Sequence, residues 1–487
     1  MSDESEYQGW SNRVAVGGAA GSGFAYRPRQ VIARGPGTLE FLVARFGEGN
    51  VIEVGPGEDG PDISELEDKV AARSDGDGSW LITLPPDVDA LRFAADLRDE
   101  GLRAEPNYVL FAHTARANPF YANEMDANPF YANPFYANTA NANPFYANPF
   151  YANPFYANPF YANPFYANPF YANPFYANNY QRTGLRPSSA RPAQAPALSA
   201  AVTAAGQSGQ AAAPPAIIVL DTGLAVLDRG QALDQRPPLL ERLGQTPAYD
   251  EESPDEDGDP DGALDPAAGH GTFIAGIIEQ LVPGRQLAIG EVLTTLGDGD
   301  EWDIGARLDV IKANGIAGVG FGPDTILNLS FGGYAPEEAS YLAKKIRKVQ
   351  DLGAVVVASA GNDSTSAPLY PACLPGVVSV GALGPFGPAP FTNFGPWVRA
   401  CAPGTDIVSS FFTNFDGPLP GSGSYDGDNF RGWARWSGSS FAAPIVAAAL
   451  AREMLRSGCS AEEAVAAIID APGLFRIPGL GTVVNLA

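Results

Sequence analysis

The C-terminal part of the chain, residues 216–487, is predicted to form an α/β domain of three layers around a mainly parallel sheet. Short, continuous apolar runs alternate with helical patterns over this region. A strand buried on both faces needs apolar residues at every position, and helices between such strands are typical of a sheet covered on both sides. The predicted strands are residues 217–220, 287–293, 326–329, 355–359 and 377–380, and the clearest helices are 337–352 and 440–456.

A small α+β unit is predicted ahead of this domain, at residues 27–114, after a mobile tail at residues 1–26. Residues 30–33, 80–84 and 108–111 are short apolar runs that predict strands. Residues 39–46 and 88–100 repeat apolar side chains at intervals of three and four, as an amphipathic helix does. The chain is long enough to hold both units.

A low-complexity region separates the two units. The tetrapeptide Asn-Pro-Phe-Tyr occurs ten times between residues 118 and 176, and one Ala joins most copies. Proline at every fifth position removes backbone donors and blocks both a helix and a central strand. Residues 115–183 are therefore predicted to be disordered, with loose turns at the Asn-Pro pairs. Residues 184–215, rich in Ala and Pro, are predicted to be a linker.

Charge, hydropathy and cysteine content limit the classes of binding partner and the cellular compartment that we expect. The formal net charge of −25 argues against a nucleic-acid partner, because binding phosphates requires concentrated Lys and Arg. No apolar run is long enough to span a bilayer, so no membrane partner is expected. The first residues lack the pattern of a signal peptide, which favours a cytoplasmic over a secreted protein. The three cysteines, Cys373, Cys401 and Cys459, favour buried thiols, with a Cys373–Cys401 disulfide as the alternative.

His270, one of two histidines in the chain, is the first candidate catalytic residue. General-base work near neutral pH falls most naturally to histidine. Asp221 ends a predicted buried strand, at the sheet edge where α/β folds bind ligands. Ser440 opens a predicted helix. Each residue alone also has a purely structural interpretation: His270 and Ser440 would cap helix ends, and Asp221 would form a turn. Together they form the set in which a carboxylate orients a histidine that activates a serine.

The segments around these residues resemble the active-site signatures of the subtilisin-like (S8) protease family. They are Val-Leu-Asp-Thr-Gly (219–223), Gly-His-Gly-Thr (269–272) and Ser-Gly-Ser-Ser-Phe-Ala-Ala-Pro (437–444). The order Asp, His, Ser is also that of subtilisin. The resemblance implies a serine endopeptidase with Asp221, His270 and Ser440 as the triad, acting on peptides or proteins without a required cofactor.

Two further segments resemble the same family. Ala-Ser-Ala-Gly-Asn (358–362) is similar to the segment that supplies the oxyanion-hole asparagine, which implies that role for Asn362. Leu-Asn-Leu-Ser-Phe-Gly-Gly (327–333) is similar to the strand that pairs with substrate, which implies substrate-binding roles for Ser330, Phe331 and Gly332.

The chain also departs from the family pattern. Phe273 stands where the family usually has a second histidine, three residues after the catalytic one. Ser439 and Phe441 replace the usual Thr and Met on either side of the catalytic serine. A pseudoenzyme that binds in the same cleft without turnover is therefore the alternative to a working protease.

The unit at residues 27–114 is similar to the inhibitory propeptide of the family. The segments 26–32 and 104–109 resemble its opening and closing strands. The resemblance implies an intramolecular inhibitor whose last strand occupies the active-site cleft, with cleavage soon after Phe111.

Residues 250–265 are dense in carboxylates, a spacing of oxygen ligands that calcium accepts. Prolines and the lack of a terminal bidentate Glu break the EF-hand pattern. A solvated acidic loop is the favoured interpretation, so no metal ligand is assigned and calcium stays an alternative.

Three hypotheses account for the repeat. It is a peptide precursor that the attached protease processes, a multivalent tether of weak aromatic motifs, or an expanded linker.

Overall fold

The computed structural model describes residues 14–17, 24–58, 60–61, 66, 68–112, 188–189, 215–225, 251–252, 265, 267–283, 285–316, 318–335, 340–413 and 431–484. They form an N-terminal unit, up to residue 112, and a C-terminal unit, which contains residues 188–189 and the described residues from 215 onward. The repeat and most of the acidic run at 250–265 lie outside these ranges, so the hypotheses about them stay predictions.

The N-terminal unit is a sheet with two helices packed on it. Its strands are β1 (Ala15–Gly17), β2 (Phe24–Arg34), β3 (Val51–Val54), β4 (Val70–Ser74), β5 (Ser79–Thr83) and β6 (Arg103–Ala112), and its helices are α1 (Thr38–Phe46) and α2 (Ala90–Asp99). The order is β6-β2-β5-β4-β3, with β1 on β2. Regular structure thus begins before residue 27, the predicted start of the unit.

Strand β2 carries the core of this unit. Val31 packs with Phe93 and Leu97 of α2, so the apolar face of the helix is buried against the sheet. The side chain of Asp89 accepts a hydrogen bond from the Arg92 amide and caps α2.

The central sheet of the C-terminal unit is mainly parallel. Its strands are β8 (Ala216–Asp221), β11 (Gln286–Glu291), β13 (Thr325–Leu329), β15 (Val355–Ser359), β16 (Val378–Gly384), β17 (Gly387–Pro388), β18 (Ala400–Pro403), β21 (Arg476–Ile477) and β22 (Gly481–Val483). The order is β11-β8-β13-β15-β16-β18-β22-β21. The pairs from β11 through β22 are parallel, whereas β21 and β17 are antiparallel to their neighbours.

Helices cover both faces of this sheet, as predicted. They are α3 (His270–Leu281), α4 (Glu301–Asn314), α5 (Ser340–Asp351), α6 (Ser439–Ser457) and α7 (Ala461–Val465), the last followed by a wider helical turn at 466–470. In β8, Ile217 and Val219 pack into the layer that holds α3 and α6. Ile218 and Leu220 pack into the layer that holds α4 and α5. The uninterrupted apolar run of β8 follows from this burial on both sides.

Shorter strands complete the C-terminal unit. They are β7 (Ser188–Ser189), β9 (Leu224–Ala225), β10 (Glu251–Glu252), β12 (Asp298–Asp300), β14 (Phe331–Gly332), β19 (Ile407–Thr413) and β20 (Arg431–Trp436). Strand β20 lies between β19 and β7 in a separate antiparallel sheet. The chain therefore pairs with the C-terminal unit at residues 188–189, before it reaches β8.

The two units share one sheet. Strand β6 of the N-terminal unit pairs antiparallel with both β12 and β14 of the C-terminal unit. Ion pairs flank this join: Arg27 contacts Asp298 and Asp300, and the buried ammonium of Lys345 lies 3.0 Å from Asp75. Glu105 accepts hydrogen bonds from the Ser340 and Tyr341 amides and so satisfies the N-terminus of α5.

Candidate active site

Asp221 is the last residue of β8, at the carboxyl edge of the central sheet. Its Oδ1 accepts a hydrogen bond of 2.9 Å from the Thr222 amide. The same atom lies 2.6 Å from Nδ1 of His270. Both side chains are buried. A buried carboxylate held in this way fixes the orientation of the ring and leaves Nε2 as the reactive nitrogen.

His270 is the first residue of α3, and glycines on both sides set its position. Gly269 has a φ of +77°, which favours glycine. A Cβ at Gly271 would lie 2.2 Å from the Gly223 carbonyl oxygen. The Gly271 amide in turn donates to the Thr222 hydroxyl at 3.1 Å. Close backbone approach therefore fixes the start of the helix against the end of β8.

Aromatic rings enclose His270. The ring centroid of Trp436 lies 5.5 Å from that of His270 in an edge-on arrangement, and that of Phe441 lies 5.4 Å away. Within the described part of the chain, Nε2 of His270 has no hydrogen-bond partner. The Asp–His half of the predicted triad is thus assembled, and the Ser–His hydrogen bond is not formed. Such bonds often tighten only when substrate is bound.

Ser440 lies in the first turn of α6 and is buried. Its hydroxyl donates to the Ser330 carbonyl oxygen at 3.0 Å, and the Ser330 hydroxyl donates to the Ser440 carbonyl oxygen at 2.8 Å. Pro444 has no N–H for the carbonyl four residues before it, so Ser330 supplies a donor that the helix lacks. Ser330 is thereby tied to the candidate nucleophile.

Asn362 lies in the loop after β15 and faces the start of α6. Its Oδ1 accepts a hydrogen bond of 2.8 Å from the Ser439 amide. The Ser439 hydroxyl accepts one of 3.1 Å from the Gly361 amide. Ser439, which departs from the family pattern, therefore joins the Asn362 loop to the helix that carries Ser440.

Asn393 holds this loop from the other side, and no motif in the sequence marks this residue. Its Oδ1 accepts from the Asp363 and Thr365 amides, at 2.9 and 3.2 Å. Its Nδ2 donates to the Ala360 carbonyl at 2.9 Å, and its own amide donates to the Gly361 carbonyl at 3.0 Å. A single buried side chain thus replaces a strand partner for residues 360–365.

The predicted substrate-binding residues line the place that β6 occupies. Phe331 and Gly332 form β14 and pair with Ala112 and Phe111. Strand β12 pairs with the other edge of the same segment. An extended peptide thus lies between two short strands and runs toward Ser330.

The described residues contain no metal-ligand cluster, no membrane-spanning helix and no disulfide. No group of three or more His, Cys, Asp or Glu side chains within the described ranges is arranged to hold a metal ion. In the same ranges, no helix is both long and apolar enough to cross a membrane. The three cysteines are thiols, Cys401 buried and the others half-buried, so the alternative of a Cys373–Cys401 disulfide is not what the structure contains.

The chain is similar to proteins of one known family. The model of the subtilase family matches residues 214–471. The chain is 30% identical over 190 residues to the extracellular basic protease of Dichelobacter nodosus, covering 38% of this chain and 29% of that protein. It is 29% identical over 226 residues to the thermophilic serine proteinase of Bacillus sp. (strain AK1), covering 44% and 48%. The chain therefore spans less than half the length of each of these relatives.

Among solved structures, a cold adapted subtilisin-like serine proteinase is similar with a TM-score of 0.37 and 21% identity. The match covers 55% of this chain and 85% of that one.

Proposed function

The chain belongs to the subtilase family, and we propose that it is a serine endopeptidase kept inactive by its own N-terminal unit. The observation that carries the catalytic part is the buried contact of 2.6 Å between Asp221 Oδ1 and His270 Nδ1. It lies beside the helix start that bears Ser440, because Phe441 contacts the His270 ring. Peptides or proteins are the proposed substrates.

In the proposed reaction the Ser440 hydroxyl attacks the carbonyl carbon of the scissile bond, and His270 Nε2 takes its proton. Asp221 holds the ring through Nδ1 and stabilises the imidazolium. The side-chain amide of Asn362 and the Ser440 amide donate to the oxygen that becomes negative. The imidazolium then protonates the leaving amine. Water, deprotonated by the same nitrogen, hydrolyses the acyl-enzyme and releases the serine.

Inhibition by the N-terminal unit is supported by strand pairing. Strand β6 fills the space between β12 and β14, where an extended substrate would pair. Leu110 and Ala112 pack into the core layer that also contains Phe331. Glu105 adds hydrogen bonds to the start of α5. A substrate therefore cannot enter until this strand leaves.

The test is labelling with a fluorophosphonate probe, which reacts with activated serines. We expect the full-length wild-type chain to be labelled after incubation, and Ser440→Ala to remain unlabelled. The Ser439→Ala variant, which keeps the nucleophile, is the matched control and should still be labelled. A wild-type chain that stays unlabelled, with its N-terminal unit cleaved away, would instead support a binding protein without turnover.

For the repeat, we propose a peptide precursor that the attached protease processes. Its tandem units and its position next to the inhibitory strand in sequence support this proposal. Mass spectrometry of the purified chain after incubation should find discrete repeat-derived peptides in the wild type and none in Ser440→Ala. An insertion that stays intact in both would instead favour a tether or an expanded linker.

A further inference from the structure

The strand β12 and the start of α4 form an acidic border of the substrate cleft. Residues 298–303 contain the carboxylates of Asp298, Asp300, Glu301 and Asp303. In the pairing with β6, Asp298 lies opposite Phe111 and Asp300 lies opposite Val109. Residues directly opposite in an antiparallel pair have their side chains on the same face. The two aspartates therefore flank positions 109 and 111.

The two faces of β6 pack against different parts of the molecule. Leu110 and Ala112 point into the apolar layer beneath the cleft. Val109 and Phe111 instead pack with Val14 and Ala25 of the N-terminal unit. Removal of the N-terminal unit therefore uncovers the side of the cleft that carries Asp298 and Asp300. The apolar layer on the other side belongs to the C-terminal unit and stays in place.

A cation already occupies this acidic pair in the structure. Arg27 places Nη1 2.9 Å from Asp298 Oδ2 and Nε 2.9 Å from Asp300 Oδ2. The side chains of Asp298 and Asp300 are 1% and 6% exposed beneath it. Arg27 comes from β2 and not from the strand in the cleft. The N-terminal unit thus supplies, from the neighbouring strand β2, a positive charge that residues 109–112 of β6 lack.

The register relates this pair to the position of the cut. Phe331 and Gly332 pair with residues 112 and 111, so a bound substrate would place its next residue opposite Ser330. The Ser330 carbonyl accepts the hydrogen bond of the Ser440 hydroxyl. The substrate residue opposite Ser330 is then the last before the cut. The positions beside Asp298 and Asp300 become the third and fifth residues before it.

We infer that Asp298 and Asp300 form a cation subsite that selects substrates with Arg or Lys at the third or fifth residue before the cut. The inference rests on the proposed protease function. A guanidinium can contact both carboxylates at once, as Arg27 does. Binding of a basic substrate there would replace the ion pairs lost with the N-terminal unit and would restore charge balance to a carboxylate pair that is largely buried.

The test compares cleavage of quenched fluorescent peptides by the full-length chain after its activity has reached a plateau. Every peptide carries Leu and Ala at the fourth and second residues before the cut, as in β6, and a mixture of residues directly before it. The third and fifth residues are both Arg, both Gln or both Glu. We expect kcat/KM to be about tenfold higher for Arg than for Gln, and lowest for Glu. The preference should shrink in 1 M salt.

The variant Asp298→Asn/Asp300→Asn keeps side-chain acceptors for the Thr294 hydroxyl and the Asp303 amide. The preference should be lost in this variant, so that the ratio of its kcat/KM for the Arg peptide to that for the Gln peptide falls to about one. Equal cleavage of all three peptides by the wild type would overturn the cation subsite and leave the protease intact. A preference for Arg that persists in the double variant would also overturn it. Cleavage of no peptide would overturn the protease proposal, and this inference with it.

Discussion

The rings of Phe273 and Phe441 are in direct contact, with centroids 4.5 Å apart and planes inclined by 54°. Both side chains are fully buried. They occupy two of the positions at which the sequence departs from the family pattern. One follows His270 by a helical turn, and the other follows Ser440 directly. The two departures are therefore a single packing arrangement that joins α3 to α6 behind the candidate triad.

This contact predicts an energetic coupling between the two phenylalanines. In a Ser440→Ala background, which prevents self-digestion, Phe273→Leu and Phe441→Leu should each lower the free energy of unfolding. The double variant should lose less than the sum, by about 0.5–1.5 kcal/mol. Denaturant titration measures all four chains. Phe273 paired with Phe93, which lies in the N-terminal core, is the control and should show additive losses. Additive losses for Phe273 and Phe441 would contradict the prediction.

The Asp221–His270 contact predicts the effect of removing one negative charge. Asp221→Asn keeps the size of the side chain but favours the wrong tautomer of His270, so kcat should fall by about 10⁴-fold. The Thr222 amide keeps an acceptor, and the melting temperature should change little by comparison. Steady-state kinetics with circular dichroism separates the two effects. An unchanged kcat would rule out Asp221 as the residue that orients the base.

Asn393 should act on catalysis through the Asn362 loop. Asn393→Ala removes hydrogen bonds to the amides of Asp363 and Thr365 and leaves buried donors unpaired, which lowers the free energy of unfolding by about 1–3 kcal/mol. Because the displaced loop carries the proposed oxyanion donor, kcat should fall while KM stays close to that of the wild type. Asn393→Asp keeps Oδ1 and should recover part of kcat. A variant that loses stability but keeps kcat would show a purely structural role.

The raised pKa of the buried Glu301 carboxyl predicts how release of the N-terminal unit depends on pH. The side chain is fully buried, and burial, followed by the nearby Glu105 carboxylate, raises its pKa well above the usual range. Arg34 and the amides of Leu342 and Tyr108 act in the opposite direction and only in part offset the rise. Burial likewise raises the pKa of Glu105. The docked state therefore favours protonated carboxyls.

Docking should be strongest below the pKa of an exposed carboxyl, about 4.3, and should weaken as the pH rises through the raised pKa. The measurement is the rate at which activity appears in the full-length chain at a series of pH values. This rate should rise with pH in the wild type and depend less on pH in Glu301→Gln. Glu462→Gln, which changes an exposed carboxylate on α7, is the control. An identical pH profile for wild type and Glu301→Gln would contradict the prediction.

The layers of the C-terminal unit could be predicted from the sequence because each depends on a local pattern. The helix predicted at 440–456 is observed at Ser439–Ser457, and the strand predicted at 355–359 has the same bounds. The short strands β12 and β14 could not be predicted, because their two or three residues are strands only through pairing with β6. Asn393 was missed for a similar reason: its partners are backbone groups of a distant loop, and no spacing marks such a residue.

The attachment of β7 to β20 has a consequence for what one cleavage can release. Strand β6 ends at residue 112, and residues 188–189 pair with β20 of the C-terminal unit. The repeat lies between these two points in sequence. A single cut just after β6 would therefore leave the repeat as a new N-terminal extension of the protease. Only a second cut, on the far side of the repeat, would turn it into free peptides, so the number of cuts decides whether it is an appendage or a product.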